Sequence, residues 1–220
     1  MKKLKTMVVL VVLCGGIAFA QNGVITGMSG TVELMKAGSS AFVPARTGDE
    51  VAMSTIVSTG FKSTALIKAG NTVITVRPLT RLSLAELSAS AGTETLNVSL
   101  QTGRVQIDVN PPAGTRVTMT VRGPTATASV RGTTFIFDTR NISVQKGTVA
   151  FRGKRGPVML IPAGSSSQTQ EDNTVVDPLE TNAAALLPPP PEGSSGGREQ
   201  GRTVDAMVNF GFIIGYPAGP

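Results

Sequence analysis

The feature that most constrains this chain is its punctuation. From Val24 to Ala163, short runs of β-branched, aliphatic and aromatic residues recur roughly every eight to twelve residues, each closed by glycine, proline or a polar pair. No amphipathic helical period of useful length interrupts them. Many short strands with evenly spaced Gly-centred turns specify an all-β fold, an antiparallel sandwich or roll joined by hairpins. Aromatic residues make up only 4% of the chain, so the expected core is mostly Val, Ile, Leu and Met.

The clearest hairpin signals lie in 126–152. Three β-rich runs, 133–137, 142–145 and 148–151, are separated by Asp138-Thr139-Arg140-Asn141 and by Lys146-Gly147. Connections of that length and composition suit hairpin turns, so the reading is a three-stranded meander. Alternation puts Phe135 and Phe137 on one face, and Ile142 and Val144 can share the opposing one. Upstream, the expected strands are 30–35, 41–43, 51–57, 64–67, 72–76, 81–87, 95–100, 104–109 and 115–121; 158–161 closes the domain. Gly70 can supply the positive φ needed between 64–67 and 72–76, and Pro78 ends that pair because it cannot donate to a ladder.

The ends read differently. Lys2, Lys3 and Lys5, a short apolar run and Ala18-Phe19-Ala20 have the three parts of a secretory leader over 1–20, cleaved before Gln21. The single cysteine, Cys14, lies inside it, and Leu13 occupies the position where a lipidation signal needs a small residue. The β-domain is expected over 24–163 and a linker over 164–203. Asp177-Pro178-Leu179-Glu180 is a helix start, giving a possible short helix at 178–187 before Pro188–Pro191 stiffens the chain. In the apolar segment 204–220, Val208, Phe210, Phe212, Ile214 and Tyr216 recur with period two. An extended strand would align all five on one face, as a partner-binding or self-associating edge.

Charge is unevenly spread. Residues 21–163 hold fifteen Lys and Arg against seven Asp and Glu; residues 164–220 hold two against seven. A basic domain thus precedes an acidic tail. An anionic glycan or an envelope protein is the expected partner, and nucleic acid is not, since few aromatics interleave the cations for base stacking.

Catalytic signatures are missing. The chain has no histidine, and its one cysteine is in the leader, which removes the usual nucleophile–base pairs. No metal site and no cofactor are expected. Asp49 and Glu50 are adjacent acids suited to turn chemistry, and Glu86 and Asp108 have no visible acid partner. Arg122-Gly123 and Arg131-Gly132-Thr133 nearly repeat each other. Two guanidinium groups offered to an anion is the ligand-binding reading of Arg122 and Arg131. The structural reading is a glycine bulge whose arginine fork bonds backbone carbonyls.

In this order the motifs resemble the FecR-like domain family, over roughly 28–152. They are Gly48-Asp49; Thr59-Gly60 with Ser63-Thr64-Ala65-Leu66-Ile67; Pro78-Leu79-Thr80; and Gly103-Arg104-Val105. Ala128-Ser129-Val130-Arg131-Gly132-Thr133-Thr134-Phe135 and Val144-Gln145-Lys146-Gly147-Thr148-Val149 complete the series. The resemblance implies an all-β, non-catalytic, extracytoplasmic module. It casts Gly48, Asp49, Thr59, Gly60, Gly103, Arg131, Gly132, Thr133 and Gly147 as structural positions. The chain departs from the family's sensor protein in lacking its cytoplasmic sigma-regulating segment and transmembrane helix, so signalling by that route is not expected. The expected function is an exported bacterial envelope protein, periplasmic or outer-envelope associated, that binds, senses or scaffolds. The alternatives are a glycan- or peptidoglycan-binding module and, less favoured, a hydrolase using carboxylates alone.

Overall fold

The computed structural model describes residues 22–90 and 92–178. They form seventeen strands. In chain order these are β1 Gly23–Ser29, β2 Val32–Met35, β3 Val43–Pro44, β4 Glu50–Val51, β5 Ile56–Thr59, β6 Thr64–Ala69, β7 Thr72–Val76, β8 Arg81–Ser90 and β9 Thr93–Thr102. There follow β10 Arg104–Val109, β11 Arg116–Arg122, β12 Ala126–Val130, β13 Thr134–Asp138, β14 Asn141–Lys146, β15 Thr148–Gly153, β16 Met159–Pro162 and β17 Ser166–Gln168. The fold is all-β, as the turn spacing requires. Among the described residues, no helix is long and apolar enough to cross a membrane.

The strands belong to two sheets. The first has the order β17-β14-β13-β10-β7-β6-β1-β4, the second β16-β15-β12-β11-β9-β8-β5-β2-β3. The chain lays down a hairpin or a single strand in one sheet and then turns a corner into the other. Thus β6–β7 lie in the first sheet, β8–β9 in the second, β10 in the first, β11–β12 in the second and β13–β14 in the first. Inward-facing residues of both sheets form one hydrophobic cluster, with Phe135, Phe137 and Phe151 among its largest fully buried members. Phe137 and Phe151 come from opposite sheets and meet edge to face at 6.1 Å between centroids, a favoured aromatic geometry. Each such ring contributes roughly 1.5–3 kcal/mol by leaving water. Val, Ile and Leu fill most of the remainder; Met119 is the methionine of the buried set.

Several expectations are corrected. The meander does not stay in one sheet. β13 and β14 pair as expected, Phe135 opposite Val144 and Phe137 opposite Ile142, but β15 pairs with β12 and β16 in the second sheet. Gly147, at φ 83°, turns a corner instead of a hairpin. A Cβ there would stand 2.9 Å from the buried Thr133 hydroxyl, too close for a side chain. The single strand expected over 51–57 is two, β4 and β5, in different sheets. Between them Ser54 takes φ 63° and donates its N–H to the Leu84 carbonyl. β1, ahead of the first expected strand, pairs with β4 and β6. One pairing, β9 with β11, is parallel, because the chain visits the first sheet between them. At the far end β17 adds to β14, so the first sheet runs past the boundary drawn at Ala163. The helix expected at 178–187 lies outside the described residues but for Pro178, as do the leader 1–20 and the segment 204–220.

Candidate functional site

Corners set the geometry of the molecule's surface, and buried hydroxyls set the corners. Thr59 Oγ1 donates to the Arg77 carbonyl at 2.6 Å and accepts the Thr80 N–H at 3.0 Å. Thr80 Oγ1 in turn donates to the Arg104 carbonyl at 3.1 Å and accepts the Arg104 N–H at 3.0 Å. Each hydroxyl thus satisfies one donor and one acceptor of a neighbouring loop, replacing ladder bonds that a corner cannot make. Gly103 packs on this relay at φ 90°, and a Cβ there would come within 2.7 Å of the Leu79 carbonyl oxygen. The family-type positions Thr59, Gly60, Thr80 and Gly103 therefore belong to one construction.

At the opposite end Thr133 is buried, its hydroxyl within 3.3 Å of the Arg131 carbonyl and 3.4 Å of the Thr148 carbonyl. Gly132 takes φ 63°. The Arg131 side chain does something other than expected. It is exposed, and its guanidinium makes no hydrogen bond among the described residues. The carbonyl-bonding fork is absent, and the threonine beside it ties the corner. Asp49 is turn chemistry: its Oδ2 accepts the Arg46 N–H at 2.7 Å, and Gly48 sits beside it at φ 96°.

Two solvent-facing basic sites stand on this frame. The first is on the outer face of the second sheet. Arg122 on β11 lies opposite Thr127 on β12, and Thr127 lies opposite Arg152 on β15. Directly opposed residues point to the same side of a sheet, and two strand spacings place the two arginine backbones about 10 Å apart. The next row holds Thr120, Ser129 and Ala150, with the Thr120 and Ser129 hydroxyls 3.2 Å apart. Arg122, Arg152 and these small residues line a trough of about 470 Å³. A second hollow of about 510 Å³ adjoins it through Ser129 and Ala150 and carries Arg131. Among the described residues, no carboxylate lines either hollow and the guanidinium groups of Arg122 and Arg152 make no hydrogen bond. The structure thus places both sequence-predicted arginines, Arg122 and Arg131, along one face. It adds Arg152, which sequence reading missed; only the pairing of β15 with β12, far apart in sequence, could reveal it.

The second site is a hollow of about 760 Å³ at the Gly103 corner, lined by Arg77, Pro78, Leu79, Arg104, Ile136, Asp138 and Arg140. Arg77 donates to Gln106 Oε1 at 2.9 Å, and Arg104 Nη2 stands 3.3 Å from Asp138 Oδ2. Burial alone would raise the Asp138 carboxyl. Hydrogen bonds from the Arg140 and Asn141 N–H groups, the Asn141 amide and Arg104 outweigh it and hold the group below its ordinary 3.8. Asp138 is therefore committed to its own turn and to Arg104, and the Arg140 guanidinium makes no hydrogen bond among the described residues.

The acids considered for catalysis are engaged elsewhere. Glu50 accepts from Asn22, Glu86 from Asn97 and Asp108 from the Thr134 hydroxyl. The described residues include no group of three His, Cys, Asp or Glu able to hold a metal. The partner-binding set Val208, Phe210, Phe212, Ile214 and Tyr216 lies outside the described residues.

Fold and sites together define a two-sheet β module with basic outer surfaces. Residues 55–154, a stretch that runs from β5 through β15, match the family model described as FecR protein. Gly48 and Asp49 precede the matched residues. No curated protein matches the chain. Among solved structures, the chain is similar to "a putative anti-sigma factor from Parabacteroides distasonis ATCC 8503", in crystals at 1.65 Å and 2.50 Å resolution. The identity is 15% and the TM-score 0.45 in both. The likeness covers 59% of this chain and 64% and 63% of those chains, less than two thirds of their length.

Proposed function

We propose that this protein is an exported, non-catalytic module of the cell envelope that binds an anionic ligand at the Arg122–Arg152 trough. The carrying observation is the row Arg122–Thr127–Arg152, two guanidinium groups without a hydrogen bond among the described residues, flanking a hydroxyl floor with no carboxylate among the described lining residues. Arginine forks match carboxylate and sulfate oxygens in pairs, and the Thr and Ser hydroxyls suit a polyhydroxylated chain between them. An anionic glycan satisfies both. The FecR domain supports a sensory or binding role, and the engagement of Glu50, Glu86 and Asp108 in structural hydrogen bonds supports binding without catalysis. The basic leader and Ala18-Phe19-Ala20 support export, with Gln21 as the first mature residue. The segment carrying Phe210 and Phe212 serves in this reading as a docking strand for an envelope partner or a second copy.

Titration with a uronate-rich oligosaccharide tests the ligand. Arg122→Ser with Arg152→Ser should abolish saturable binding, while Lys36→Ala leaves it unchanged. Equal binding by wild type and both variants would sink the proposal. Sequencing the amino terminus of the native protein tests export and cleavage: the expected start is Gln21, a lipid-bearing start at Cys14 would overturn that cleavage site, and an uncleaved leader starting at Met1 would refute cleaved export.

A further inference from the structure

The Gly103 corner carries an apolar feature that the trough does not explain. Phe61 and Leu79 are 74% and 59% exposed, and they sit on loops 60–63 and 77–80. The loops are tied together, the Leu79 N–H bonding the Gly60 carbonyl at 3.2 Å. Both are held in uncommon backbone conformations: Lys62 takes φ 54° and Leu79 φ 56°. A leucine in the left-handed region is strained, and such strain persists only where neighbours over-determine it. Those neighbours are present. Ser63 Oγ accepts the Thr31 N–H at 2.8 Å and lies 3.1 Å from the Phe61 carbonyl, while the Thr59–Thr80 relay fixes the second loop. The two apolar side chains are thus presented to solvent by rigid loops.

Their surroundings are cationic. Lys62 Nζ lies 5.8 Å from the centre of the Phe61 ring. Leu79 lines the hollow that also holds Arg77, Arg104 and Arg140; its one carboxylate among the described residues, Asp138, is bonded by its own turn and paired with Arg104 at 3.3 Å, which leaves the hollow with an excess of two cations. Apolar tips with cations beside them, Lys62 at Phe61 and the arginines of the hollow at Leu79, match the layering of an anionic bilayer: hydrocarbon below, phosphate above. A soluble acidic peptide would use the cations but would leave Phe61 and Leu79 in water.

We infer that loops 60–63 and 77–80 dock the domain onto an anionic lipid surface, with Phe61 and Leu79 entering the acyl boundary and Arg77, Arg104 and Arg140 receiving lipid phosphates. The chain has no tryptophan, so a Phe61→Trp variant of the protein carries a single reporter at the contact. With vesicles of phosphatidylglycerol and phosphatidylcholine, its emission should shift to the blue and be quenched by brominated acyl chains; pure phosphatidylcholine vesicles should produce neither change. In co-sedimentation with the same anionic vesicles, Phe61→Asn together with Leu79→Gly should lose roughly tenfold in affinity. Glycine relieves the positive φ of Leu79, so this variant should melt no lower than wild type, which separates lost docking from lost folding. Unquenched tryptophan emission from vesicle-bound Phe61→Trp protein, vesicle affinity unchanged in the double variant, or equal competition by soluble polyglutamate would each overturn the inference.

Discussion

The two ends of the sandwich solve the same problem with opposite results. Both turn the chain from one sheet into the other with a left-handed glycine packed on a buried threonine: Gly103 on Thr80 at one end, Gly147 on Thr133 at the other. At the Gly147 end a buried carboxylate is closed in by the turn above it. Glu94 is only 3% exposed beneath the β6–β7 turn, where it accepts the Asn71 N–H at 3.1 Å and the Asn71 amide at 2.9 Å. At the Gly103 end the polar groups face outward. Arg77, Arg104 and Arg140 surround one hollow, and Phe61 and Leu79 stand in solvent. The same corner device thus serves closure at one end and presentation at the other, and what differs is the side chains placed around it.

The largest expected effect comes from breaking the presenting corner. Gly103→Ala adds a Cβ against the Leu79 carbonyl at a φ that alanine resists, and should cost about 3–5 kcal/mol or prevent folding. Urea denaturation measures it, and a loss below about 1 kcal/mol would mean that the corner yields easily. Glu94→Ala strikes the closed end. It leaves the Asn71 donors without their acceptor in a buried site and should cost roughly 2–3 kcal/mol in the same assay.

A finer contrast separates neighbours in one motif. Thr133→Val removes the buried hydroxyl and should cost about 1 kcal/mol. Arg131→Ala removes an exposed side chain and should stay within about 0.5 kcal/mol. Thermal melts that ranked the two the other way would restore a structural role to the Arg131 fork.

This contrast also shows what could be read from sequence. Alternation grouped Phe135 with Phe137 and Ile142 with Val144 correctly; all four are buried, and the pairing of Phe135 with Val144 and Phe137 with Ile142 puts them on one inward face. Gly48, Gly103, Gly132 and Gly147 take the positive φ that turns require. Which sheet each strand joins was not legible. A hairpin and a corner both use a polar residue followed by a left-handed glycine, so Lys146-Gly147 read as a hairpin although it crosses between sheets. The deciding contact is the space above Thr133, distant in sequence. The same limit hid Arg152, whose partner row forms only when β15 pairs with β12, and the Arg77–Arg104–Arg140 hollow, assembled from three separate turns. Arg122 and Arg131 could be nominated because they repeat locally.

The smallest effect concerns pH. Asp138 has a lowered folded carboxyl, so its contribution is fully present above its ordinary 3.8 and is lost as pH falls through the lowered folded value. The acid limb of the stability curve should be shallower in Asp138→Asn below that pH, with the two proteins running parallel above about pH 5. Melts from about pH 2 to 6 read this directly, and identical acid limbs would show that the Asp138 turn hydrogen bonds add nothing to stability.

The most direct test of where an anion binds, the trough or the closed end, is residue-resolved. Amide chemical shifts of the labelled protein, followed while a uronate-rich oligosaccharide is added, report where an anion settles. Saturable shifts are expected at Thr120, Thr127, Ser129 and Ala150, around Arg122 and Arg152, with the Gly70–Asn71 turn over Glu94 unmoved. Saturable shifts centred on that closed end, or none in the trough, would contradict it.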